Sequence, residues 1–489
     1  MDHKTSNTLL SSLSAASPPR VLLVNPPHPE GKGFTREGRC TQEAGVWATQ
    51  WPPVSLATAA ALLEADGRTA EIIDCPAVGM DTPALLRRTA AFGPGWIFVT
   101  TGTPTLSADL AAAARLKQAA PAAQVAVFGT HVTADPEAAL LFGGIDAVIR
   151  GEPEGTIADL CRKTAADRTK AAGISFVDAS GEVRHNPDRP WLDPAEIPAP
   201  AWHRLDLSPY RLPLKGRLFL IVAPVRGCPY RCTFCTAPQY YGRTLRMRPV
   251  KQVADEIEQN VARFDITDYF IWADTFTASR TYVAEFCREI RRRRLRIQWT
   301  CNSRVDTVDD EILAVMKEAG CWMISYGIES ADQGVLSRSH KNITSAQSAR
   351  AVAAARRAGL VVSGHFIFGL PGDSIAGMKK TLAFALQLPL DIGQFYAASP
   401  FPGTALFGEA REKGWLQADG AGSQSRSAMD LPGLPAETVD AFRRLAFRRF
   451  YLRPRVMARL LSLVKPAALP LLAQSVLRFF GWSHLIGRL

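Results

Sequence analysis

The chain has 489 residues, 47% of them hydrophobic, a composition that excludes a disordered protein and predicts two or three globular domains. Its net charge of +11 comes almost entirely from ten Lys and Arg residues between positions 441 and 489, where no acidic residue occurs, which argues against the broad basic face of a nucleic-acid-binding protein. Nine cysteines, scattered except for one cluster, do not look like a disulfide framework and predict a reducing, cytoplasmic location.

The N-terminal part of the chain predicts a doubly wound α/β domain. Residues 1–19 are charged and serine-rich without an apolar segment of signal-peptide length, so we predict a disordered leader there. Between residues 20 and 175, apolar strands such as VLLVN alternate with helical segments such as VSLATAAALLEADG, which predicts a five-stranded parallel sheet covered on both faces. Ligands of such folds bind beyond the carboxyl ends of the strands, here residues 25–31, 101–106, 129–132 and 151–154.

A Rossmann nucleotide-binding domain would show the same alternation of strands and helices. After the first strand, however, the chain reads NPPHPEG, which lacks the glycine fingerprint that wraps a pyrophosphate. The glycine- and threonine-rich strand ends instead suit a large flat ligand that the backbone approaches closely.

A second alternating series follows a proline-rich, aperiodic stretch at residues 176–215, which we interpret as an interdomain linker. Residues 216–405 contain the strand patterns LFLIVAPV, DYFIWAD, IQWTCNS, WMISYGIES, VVSGHFIFG and DIGQFYAAS. Six βα units predict a partial TIM-like (β/α)6 barrel, with its chemistry on loops at the carboxyl ends of the strands.

The first loop of this barrel carries Cys228, Cys232 and Cys235 in the spacing C-x3-C-x2-C. A structural zinc site would need a fourth ligand, and the sequence has no further Cys or His at the usual short spacing. A disulfide would leave one thiol unpaired. Three thiolates on one tight loop suit a [4Fe–4S] cluster with one iron not held by protein, although buried or zinc-bound cysteines stay an alternative. We expect the isolated cysteines to be small buried hydrophobic residues: Cys40, Cys75, Cys161, Cys287, Cys301 and Cys321.

The segment RGCPYRCTFC resembles the cluster loop of the radical S-adenosylmethionine (SAM) superfamily, and Phe234 before the third cysteine matches the family pattern. The resemblance implies that SAM completes the cluster and is cleaved to a 5′-deoxyadenosyl radical, with electrons from a flavodoxin- or ferredoxin-type donor. The segments RMRPV, ADTFT, NSRVD, YGIES and GHFIFGLPGDS resemble the strand ends that hold SAM in this family. Their predicted SAM-binding residues are Arg246, Asp274, Asn302, Arg304, Gly327, Glu329 and Gly369. Arg246, Arg304 and Glu329 could equally form salt bridges on the barrel rim.

The N-terminal domain resembles the cobalamin-binding domain that precedes the barrel in one large class of radical SAM enzymes. FGTHVTADPEAALL, IDAVIRGEPEGTIADL and the later FPGTALFGEAREKGWL carry this likeness, which covers residues 20 to 416. The predicted cobalamin-binding residues are Thr103, Gly129, Thr130, His131, Gly151 and Glu152. The family's D-x-H-x-x-G motif is altered, because Pro26 occupies the position of the aspartate that would orient His28. We therefore predict that His28 is not essential and that cobalamin binds without its own base on cobalt.

The two cofactors together imply methylation of an unactivated carbon of a lipid, pigment or other secondary metabolite, with two SAM molecules consumed per turnover. The chain also resembles the anaerobic magnesium-protoporphyrin monomethyl ester cyclase, so cyclisation without methyl transfer stays an alternative. A non-catalytic cobalamin sensor and an RNA-modifying enzyme are weaker alternatives, because the cysteine motif is intact and no added nucleic-acid module is present. We expect a small-molecule or lipid substrate, no nucleic-acid partner and a monomer.

Residues 406–489 predict a helical C-terminal region whose part from residue 441 interleaves arginine with apolar and aromatic residues. Helices interrupted at Pro454, Pro466 and Pro470 would each show an apolar face edged by cations. The apolar runs are shorter than the ~20 residues that span a bilayer. They predict peripheral attachment to the inner face of a membrane, and packing of these helices against the barrel is the alternative.

Overall fold

The computed structural model describes residues 19–37, 40–43, 50–163, 167–417 and 423–469. The predicted leader lies outside the described residues apart from Pro19, and so does the tail from Pro470 onward.

The first half of the described chain forms the predicted doubly wound sheet. Its strands are β1 Val21–Asn25, β2 Phe34–Glu37, β3 Cys40–Glu43, β4 Ala70–Asp74, β5 Trp96–Thr100, β6 Gln124–Phe128, β7 Ala147–Ile149, β8 Ile174–Val177 and β9 Val183–His185. Its helices are α1 Val54–Ala65, α2 Cys75–Val78, α3 Thr82–Phe92, α4 Leu106–Ala119, α5 Thr130–Ala134, α6 Pro136–Leu141 and α7 Pro153–Arg162. The described strands of the main sheet follow the order β4-β1-β5-β6-β7-β8-β9.

Both faces of this sheet are buried, as the continuous apolar strands predict. Alternate residues of β1 enter two different cores: Leu23 packs on the α1 and α7 side, and Leu22 on the α3 and α4 side. Helix α1 is apolar almost all round, because it lies between the sheet and the second domain. Near its start, the Trp51 ring contacts Phe270 and Trp272 of the second domain, with centroids 5.0 and 5.1 Å away.

The sheet continues beyond residue 175, where we had placed the end of the domain. Strands β8 and β9 extend it with antiparallel pairing inside the segment assigned to the linker. The Arg150 guanidinium, at the end of β7, donates to the carbonyl of Ile174 at 2.7 Å and thereby holds β8 in place. Both strands are short, and β9 is exposed and polar, so the pair did not stand out beside the prolines that follow in the sequence.

A hairpin of β2 and β3, not predicted from the sequence, closes part of the carboxyl edge of the sheet. The side chain of Arg36 on β2 is fully buried and donates to both carboxylate oxygens of Asp109, at 3.0 and 2.8 Å, and to Asn25 Oδ1 at 2.9 Å. Asn25 in turn donates to Asp74 at 2.8 Å, and the hydroxyl of Tyr210 donates to the same carboxylate at 2.7 Å. The edge at β1 and β4 is therefore filled by protein, which leaves the ends of β5, β6 and β7 as the ligand-binding part.

The second half of the described chain forms the predicted partial barrel. Its strands are β10 Phe219–Val222, β11 Val225–Arg226, β12 Arg246–Met247, β13 Asp268–Ile271, β14 Gln298–Ser303, β15 Cys321–Glu329, β16 Val361–Phe368 and β17 Ile392–Ala397. Its helices are α8 Ala237–Tyr241, α9 Val250–Phe264, α10 Arg280–Arg292, α11 Asp310–Glu318, α12 Gln333–Arg338, α13 Ser345–Arg357, α14 Ile375–Gln387 and α15 Ala405–Glu412.

The described barrel strands are parallel in the order β10-β13-β14-β15-β16-β17, which confirms the six predicted strands. The helices cover the outside through apolar faces at helical spacing, as α10 does with Val283, Phe286 and Ile290. Strands β11 and β12 form a short antiparallel ribbon inside the first loop.

Two further helices, α16 Ala436–Tyr451 and α17 Pro454–Leu463, follow the barrel. Phe447 and Phe450 of α16 pack on Phe395 of β17 at centroid distances of 5.3 and 5.8 Å, and the Tyr451 hydroxyl donates to the Gly393 carbonyl at 2.9 Å. Helix α16 therefore packs against the barrel, which is the alternative to membrane attachment that the sequence left open. Among the described helices, none combines the length and apolarity needed to cross a bilayer.

The buried carboxylate of Glu37 on β2 generates a prediction about pH and stability. It accepts hydrogen bonds from the Ser55 hydroxyl at 2.5 Å and the Ser55 amide at 3.2 Å, at the start of α1. Burial raises the pKa of Glu37 from 4.5 to about 7, an effect that Ser55 opposes and Glu154 reinforces. Between these two values the folded protein holds a proton that the unfolded chain releases, so this group's contribution to stability is lost as the pH rises.

The variant Glu37→Gln keeps the shape of the side chain and removes its titration. We expect its free energy of unfolding to fall less steeply than that of the wild type from pH 4.5 to 7, by up to about 1.4 kcal/mol per pH unit. Urea titrations followed by tryptophan fluorescence at several pH values measure both slopes. Parallel curves for the two proteins would contradict the prediction.

Candidate functional site

The three clustered cysteines lie on the loop that follows β10, at the carboxyl end of the barrel. The β11–β12 ribbon closes the base of this loop, with Arg226 paired to Arg246 in register. Gly227 has φ +86°, and a Cβ there would lie 2.1 Å from the Thr244 carbonyl oxygen, so glycine is required. The Cys228 amide donates to the Gly242 carbonyl at 3.1 Å. Ribbon and glycine together fix the start of the cysteine loop.

Two cations lie beside Cys232 and offset part of the cost of charging this thiol. Cys228 is buried, whereas Cys232 and Cys235 are partly exposed. Burial raises the pKa of Cys232, and the cations Lys341 and Arg304 oppose that shift. Arg304 Nη1 lies 3.9 Å from Cys232 Sγ. Two cations against one thiol stabilise the thiolate form, which is the form that binds metal.

These residues fit the expected iron–sulfur cluster better than a single metal ion. Within the described part of the chain, no group of three or more His, Cys, Asp or Glu side chains is placed to hold one metal ion. A [4Fe–4S] cluster does not require such convergence, since each thiolate binds a different iron. Three thiols on one loop, with cations facing them, suit an anionic cluster.

Several predicted SAM-binding residues form a polar group beside the cysteine loop. Glu329 and Lys341 are both buried and form an ion pair of 2.7 Å. Glu329 ends β15 with φ +65°, a left-handed conformation that is strained for a residue with a side chain. A Cβ on Gly327 would lie 2.5 Å from Glu329 Oε1. Arg304 pairs with Asp306 at 2.8 Å. Arg304 and Glu329 thus each form a salt bridge with another residue, which is the alternative to binding SAM that the sequence left open. Both salt bridges lie next to Cys232.

Other predicted residues on the barrel side have packing contacts. The guanidinium of Arg304 lies 3.7 Å above the ring of Tyr230, between the first two cysteines. Phe234 packs against a small apolar cluster that includes Val335 and Leu370. A Cβ on Gly369 would lie 3.0 Å from Val439 of α16, so this glycine admits the C-terminal helix.

Asp274 and Asn302 lie on neighbouring strand ends. Asp274 follows β13, and Asn302 lies near the end of β14 opposite Ser325. Both are therefore at the carboxyl edge on which the cysteine loop lies.

The predicted cobalamin-binding residues lie at the ends of β5, β6 and β7. Gly129 has φ +151°, and a Cβ there would lie 2.3 Å from the Thr101 carbonyl oxygen, so the two strand ends approach each other as closely as backbone permits. Thr103 and Thr130 are buried beside them. His131 lies on α5, where burial lowers its pKa, and its Nδ1 has no hydrogen-bond partner among the described residues.

A second unsatisfied side chain faces this region from the barrel. The amide of Gln239 on α8 is buried at both polar atoms, and neither has a hydrogen-bond partner within the described ranges. A Cβ on Gly403 would lie 2.7 Å from Gln239 Oε1 of α8 and 2.8 Å from the Cβ of Ala134 on α5. Because both helices come this close to one glycine, α5 and α8 nearly touch. Buried polar groups in native proteins find partners. Cobalamin, whose ring carries amide side chains, would supply donors and acceptors of the kind that His131 and Gln239 lack.

His28 lies in the turn after β1, as expected for a loop residue. Its Nδ1 accepts from the Glu30 amide at 3.3 Å, and its ring packs on Phe34 at 5.0 Å. These contacts agree with a structural role in the turn, and the prediction that His28 is not essential stands.

Two residues predicted for different cofactors contact each other instead. Arg246 Nη1 donates to Glu152 Oε2 at 3.1 Å, so the residue predicted for SAM pairs with one predicted for cobalamin. Arg226 lies beside them and forms ion pairs with Glu154 at 2.7 Å and Glu152 at 3.4 Å. Sequence reasoning missed Arg226 and Glu154. A signal was present, because two glutamates at a strand end and two arginines beside a cysteine loop are charges that need partners.

The isolated cysteines behave as predicted where the structure describes them. All of the following are buried: Cys75, Cys161, Cys287, Cys301 and Cys321. The side chain of Cys40 lies outside the described residues.

Comparison with known proteins gives two family matches and full-length relatives. Residues 44–161 match the B12 binding domain, and residues 222–385 match the Radical SAM superfamily. An uncharacterized methyltransferase of Pyrococcus horikoshii is 31% identical over 448 residues, which cover 90% of this chain and 94% of that protein. The anaerobic magnesium-protoporphyrin IX monomethyl ester cyclase of Rubrivivax gelatinosus is 29% identical over 405 residues, which cover 81% of this chain and 70% of that protein.

Solved structures also match over almost the whole chain. One of them is the radical S-adenosylmethionine methyltransferase TsrM from Kitasatospora setae, with cobalamin and a [4Fe–4S] cluster bound. The match covers 92% of each chain, with a TM-score of 0.67 and 19% sequence identity. At this identity the likeness establishes the fold.

Proposed function

Because the chain belongs to the radical SAM enzymes that carry a cobalamin-binding domain, we propose that it methylates an unactivated carbon of a small-molecule substrate. Its cofactors are a [4Fe–4S] cluster, SAM and cobalamin. The observation that carries the proposal is the meeting of two strand-end edges: α5 of the cobalamin-binding domain and α8 of the barrel nearly touch beside the cysteine loop. Two cofactors bound at these edges would act on one substrate atom between them.

When bound, the cluster and SAM supply hydrogen abstraction from carbon, and cobalamin supplies a methyl group taken from a second SAM. A substrate C–H bond is replaced by C–CH3 at the cost of two SAM molecules and two electrons. The products are the methylated substrate, 5′-deoxyadenosine, methionine and S-adenosylhomocysteine. An external protein donor supplies the electrons.

The chain's own residues bind and orient these groups. We assign Cys228, Cys232 and Cys235 to the cluster, and Lys341 and Arg304 oppose the effect of burial on the Cys232 thiol. We assign to cobalamin five residues at the ends of β5, β6 and β7, which are Thr103, Gly129, Thr130, His131 and Gly151. Glu152, predicted for cobalamin, and Arg246, predicted for SAM, are not assigned to a cofactor, because their carboxylate and guanidinium pair with each other.

Cyclisation is a second candidate, which the likeness to the magnesium-protoporphyrin monomethyl ester cyclase favours. It would use the same hydrogen abstraction at the barrel and would add no methyl group. The fate of the SAM methyl group therefore separates the two functions.

The methylation proposal predicts a labelled product. Cells with and without this protein, grown with deuteromethyl methionine, should differ in one lipid, pigment or other metabolite that carries three deuterium atoms, because the whole methyl group moves from SAM to carbon. Comparative mass spectrometry of extracts detects the compound and its label together. A compound that occurs only in cells with the protein and that carries no deuteromethyl group would support cyclisation and contradict methylation.

The cluster assignment predicts the effect of removing one thiol. Anaerobically reconstituted Cys232→Ala should lose its iron and sulfide and form no 5′-deoxyadenosine, because two thiolates do not hold the cluster. Cys161→Ala is the matched control, since Cys161 is a lone buried cysteine on α7 and should leave both quantities unchanged. SAM cleavage retained by Cys232→Ala would overturn the assignment.

We further propose that helix α17 and the residues around it attach the enzyme to the cytoplasmic face of a membrane. Leu452, Met457 and Leu461 are large apolar side chains that stay exposed, while Val456 and Leu460 face the protein. Arg455 and Lys465 are exposed beside them. An apolar surface edged by cations suits an anionic bilayer, and such attachment favours a lipid or pigment substrate.

Vesicle sedimentation tests this attachment. The wild type should pellet with anionic vesicles at low salt and less at high salt, and Leu461→Glu should pellet several-fold less, because a charge is placed in the apolar contact. Leu141→Glu is the control, since Leu141 is an equally exposed leucine of the N-terminal domain, 74% exposed against 72% for Leu461. Equal pelleting of both variants, or none by the wild type, would remove the proposal.

A further inference from the structure

The geometry points to a positioning device between the two domains, the junction cluster, which we define as Glu152, Glu154, Arg226 and Arg246. We propose that this cluster fixes the carboxyl end of β7 against the cysteine loop and thereby couples SAM cleavage to reaction of the substrate. The inference rests on the proposed function, since it concerns the alignment of the same two cofactor sites.

The ion pairs of the junction cluster are buried and cross the domain boundary. The side chains of Arg226, Glu152 and Glu154 are exposed by 5, 4 and 0%, and that of Arg246 by 10%. Arg226 contacts both glutamates, at 2.7 and 3.4 Å, and Arg246 donates to Glu152 at 3.1 Å. Both glutamates belong to the cobalamin-binding domain and both arginines to the barrel.

The place of these residues in the chain links both cofactor sites. Glu152 and Glu154 lie between the end of β7 and the first turn of α7, next to Gly151. Arg226 lies two positions before Cys228, on the ribbon that closes the cysteine loop. A shift at the junction therefore moves the three cysteines of the iron–sulfur loop relative to the cobalamin-binding edge, with no flexible segment in between. Reacting groups that shift by about 1 Å lose on the order of a hundredfold in rate.

Trp191 of the proline-rich segment secures the junction from the outside. The Arg246 guanidinium lies 5.0 Å from its ring, and a Cβ on Gly242 would lie 2.9 Å from a ring atom. The adjacent Leu192 carbonyl accepts from Arg246 Nη1 at 3.1 Å, and the Leu192 amide donates to Glu152 at 3.3 Å. The linker thus clamps both sides of the junction cluster.

Charges are an unusual choice for a contact that only holds two domains together. Burying an ion pair gains little over burying apolar side chains of the same size, because desolvation offsets the attraction. Paired carboxylates and guanidinium groups are directional, however, and fix one relative placement of the two surfaces. Apolar contacts such as Trp51 on Phe270 already join the domains. The junction cluster adds a defined register beside Gly151 and the cysteine loop, which we assign to the two cofactors.

The test compares Arg226→Met, Arg226→Lys and Asp268→Asn in the full-length, cofactor-loaded enzyme. Arg226→Met keeps the length of the side chain and removes its charge, whereas Arg226→Lys keeps the charge. Asp268→Asn is the control, because it breaks a buried ion pair with Lys215, 2.5 Å long, at the opposite, amino end of the barrel strands. Arg246→Met serves as a second junction variant if Arg226→Met does not fold.

The main readout is the amount of 5′-deoxyadenosine formed per molecule of product. We expect at least a tenfold increase of this ratio in Arg226→Met, restoration to within about threefold of the wild type in Arg226→Lys, and an unchanged ratio in Asp268→Asn despite its loss of thermal stability. Hydrogen exchange at residues 151–162 and 225–247 should rise in Arg226→Met and not in Asp268→Asn.

An unchanged ratio in both junction variants would overturn the inference, as would an equal rise in Asp268→Asn, which would indicate a general effect of stability. The ratio is defined for a methylated or a cyclised product alike. A product without the methyl group would therefore contradict the proposed function, and the ratio measured with that product would still support or overturn the inference about the junction cluster.

Discussion

Two carboxylates and two guanidinium groups are buried where the two sheets of this protein meet, and the relative placement of its cofactor sites depends on them. A buried charge without a partner is costly, so each of these four side chains constrains the surface opposite to it. Arg226 contacts both Glu152 and Glu154, and Arg246 contacts Glu152 from the neighbouring strand of the ribbon. The barrel loop that carries the cysteines is thereby held against the strand ends of the cobalamin-binding domain.

A second buried network determines which part of the N-terminal edge stays accessible. Arg36 and Asp109 have no exposed side-chain surface, and with Asn25, Asp74 and Tyr210 they fill the edge at β1 and β4. The region at β5 to β7 differs, because His131 and the nearby Gln239 of the barrel have buried polar atoms that no described residue satisfies. One half of the edge is complete without a ligand and the other half is not. This contrast supports the proposed cobalamin site at the ends of β5 to β7, beside the junction cluster.

The C-terminal helices show that composition alone does not decide what an arginine-rich amphipathic segment contacts. The aromatic residues of α16 meet β17, where Gly393 leaves room for the ring of Phe450, and Gly369 after β16 leaves room for Val439. In α17, Arg459 pairs with Asp391 at 2.8 Å, and Arg453 donates to the Leu386 carbonyl at 2.6 Å. Both arginines are therefore bound to the barrel. In the described part of this region, most of the large apolar side chains that stay exposed lie around α17, and Leu445 of α16 is the exception.

Much of this protein was determined by local patterns in its sequence. Alternation of apolar strands and amphipathic helices specified the parallel sheet and the partial barrel, because that periodicity reflects burial on both faces of each strand. The spacing of Cys228, Cys232 and Cys235 indicated the iron–sulfur loop, because its three ligands lie within a few residues. The β2–β3 hairpin was missed although Gly38 and Arg39 between its strands are a turn signal, since FTRE and CTQE are too polar to stand out as strands. The antiparallel extension by β8 and β9 was missed because ISFV and VRH are short and adjoin a proline-rich stretch.

Only the tertiary structure decided which charges pair. Arg246 and Glu152 are separated by 94 positions in the chain, and each lies in a segment that suggested binding of a cofactor. Nothing in local periodicity reports such a contact, because its energy comes from desolvation at a domain boundary that exists only after both domains have folded. The same reason explains why the sequence did not reveal the ion pairs of Arg304 with Asp306 and of Glu329 with Lys341. Both pairs depend on loops that the barrel brings together beside Cys232. The sequence determined the chemistry available to this protein, and the folded structure decided how its two reactive edges are aligned.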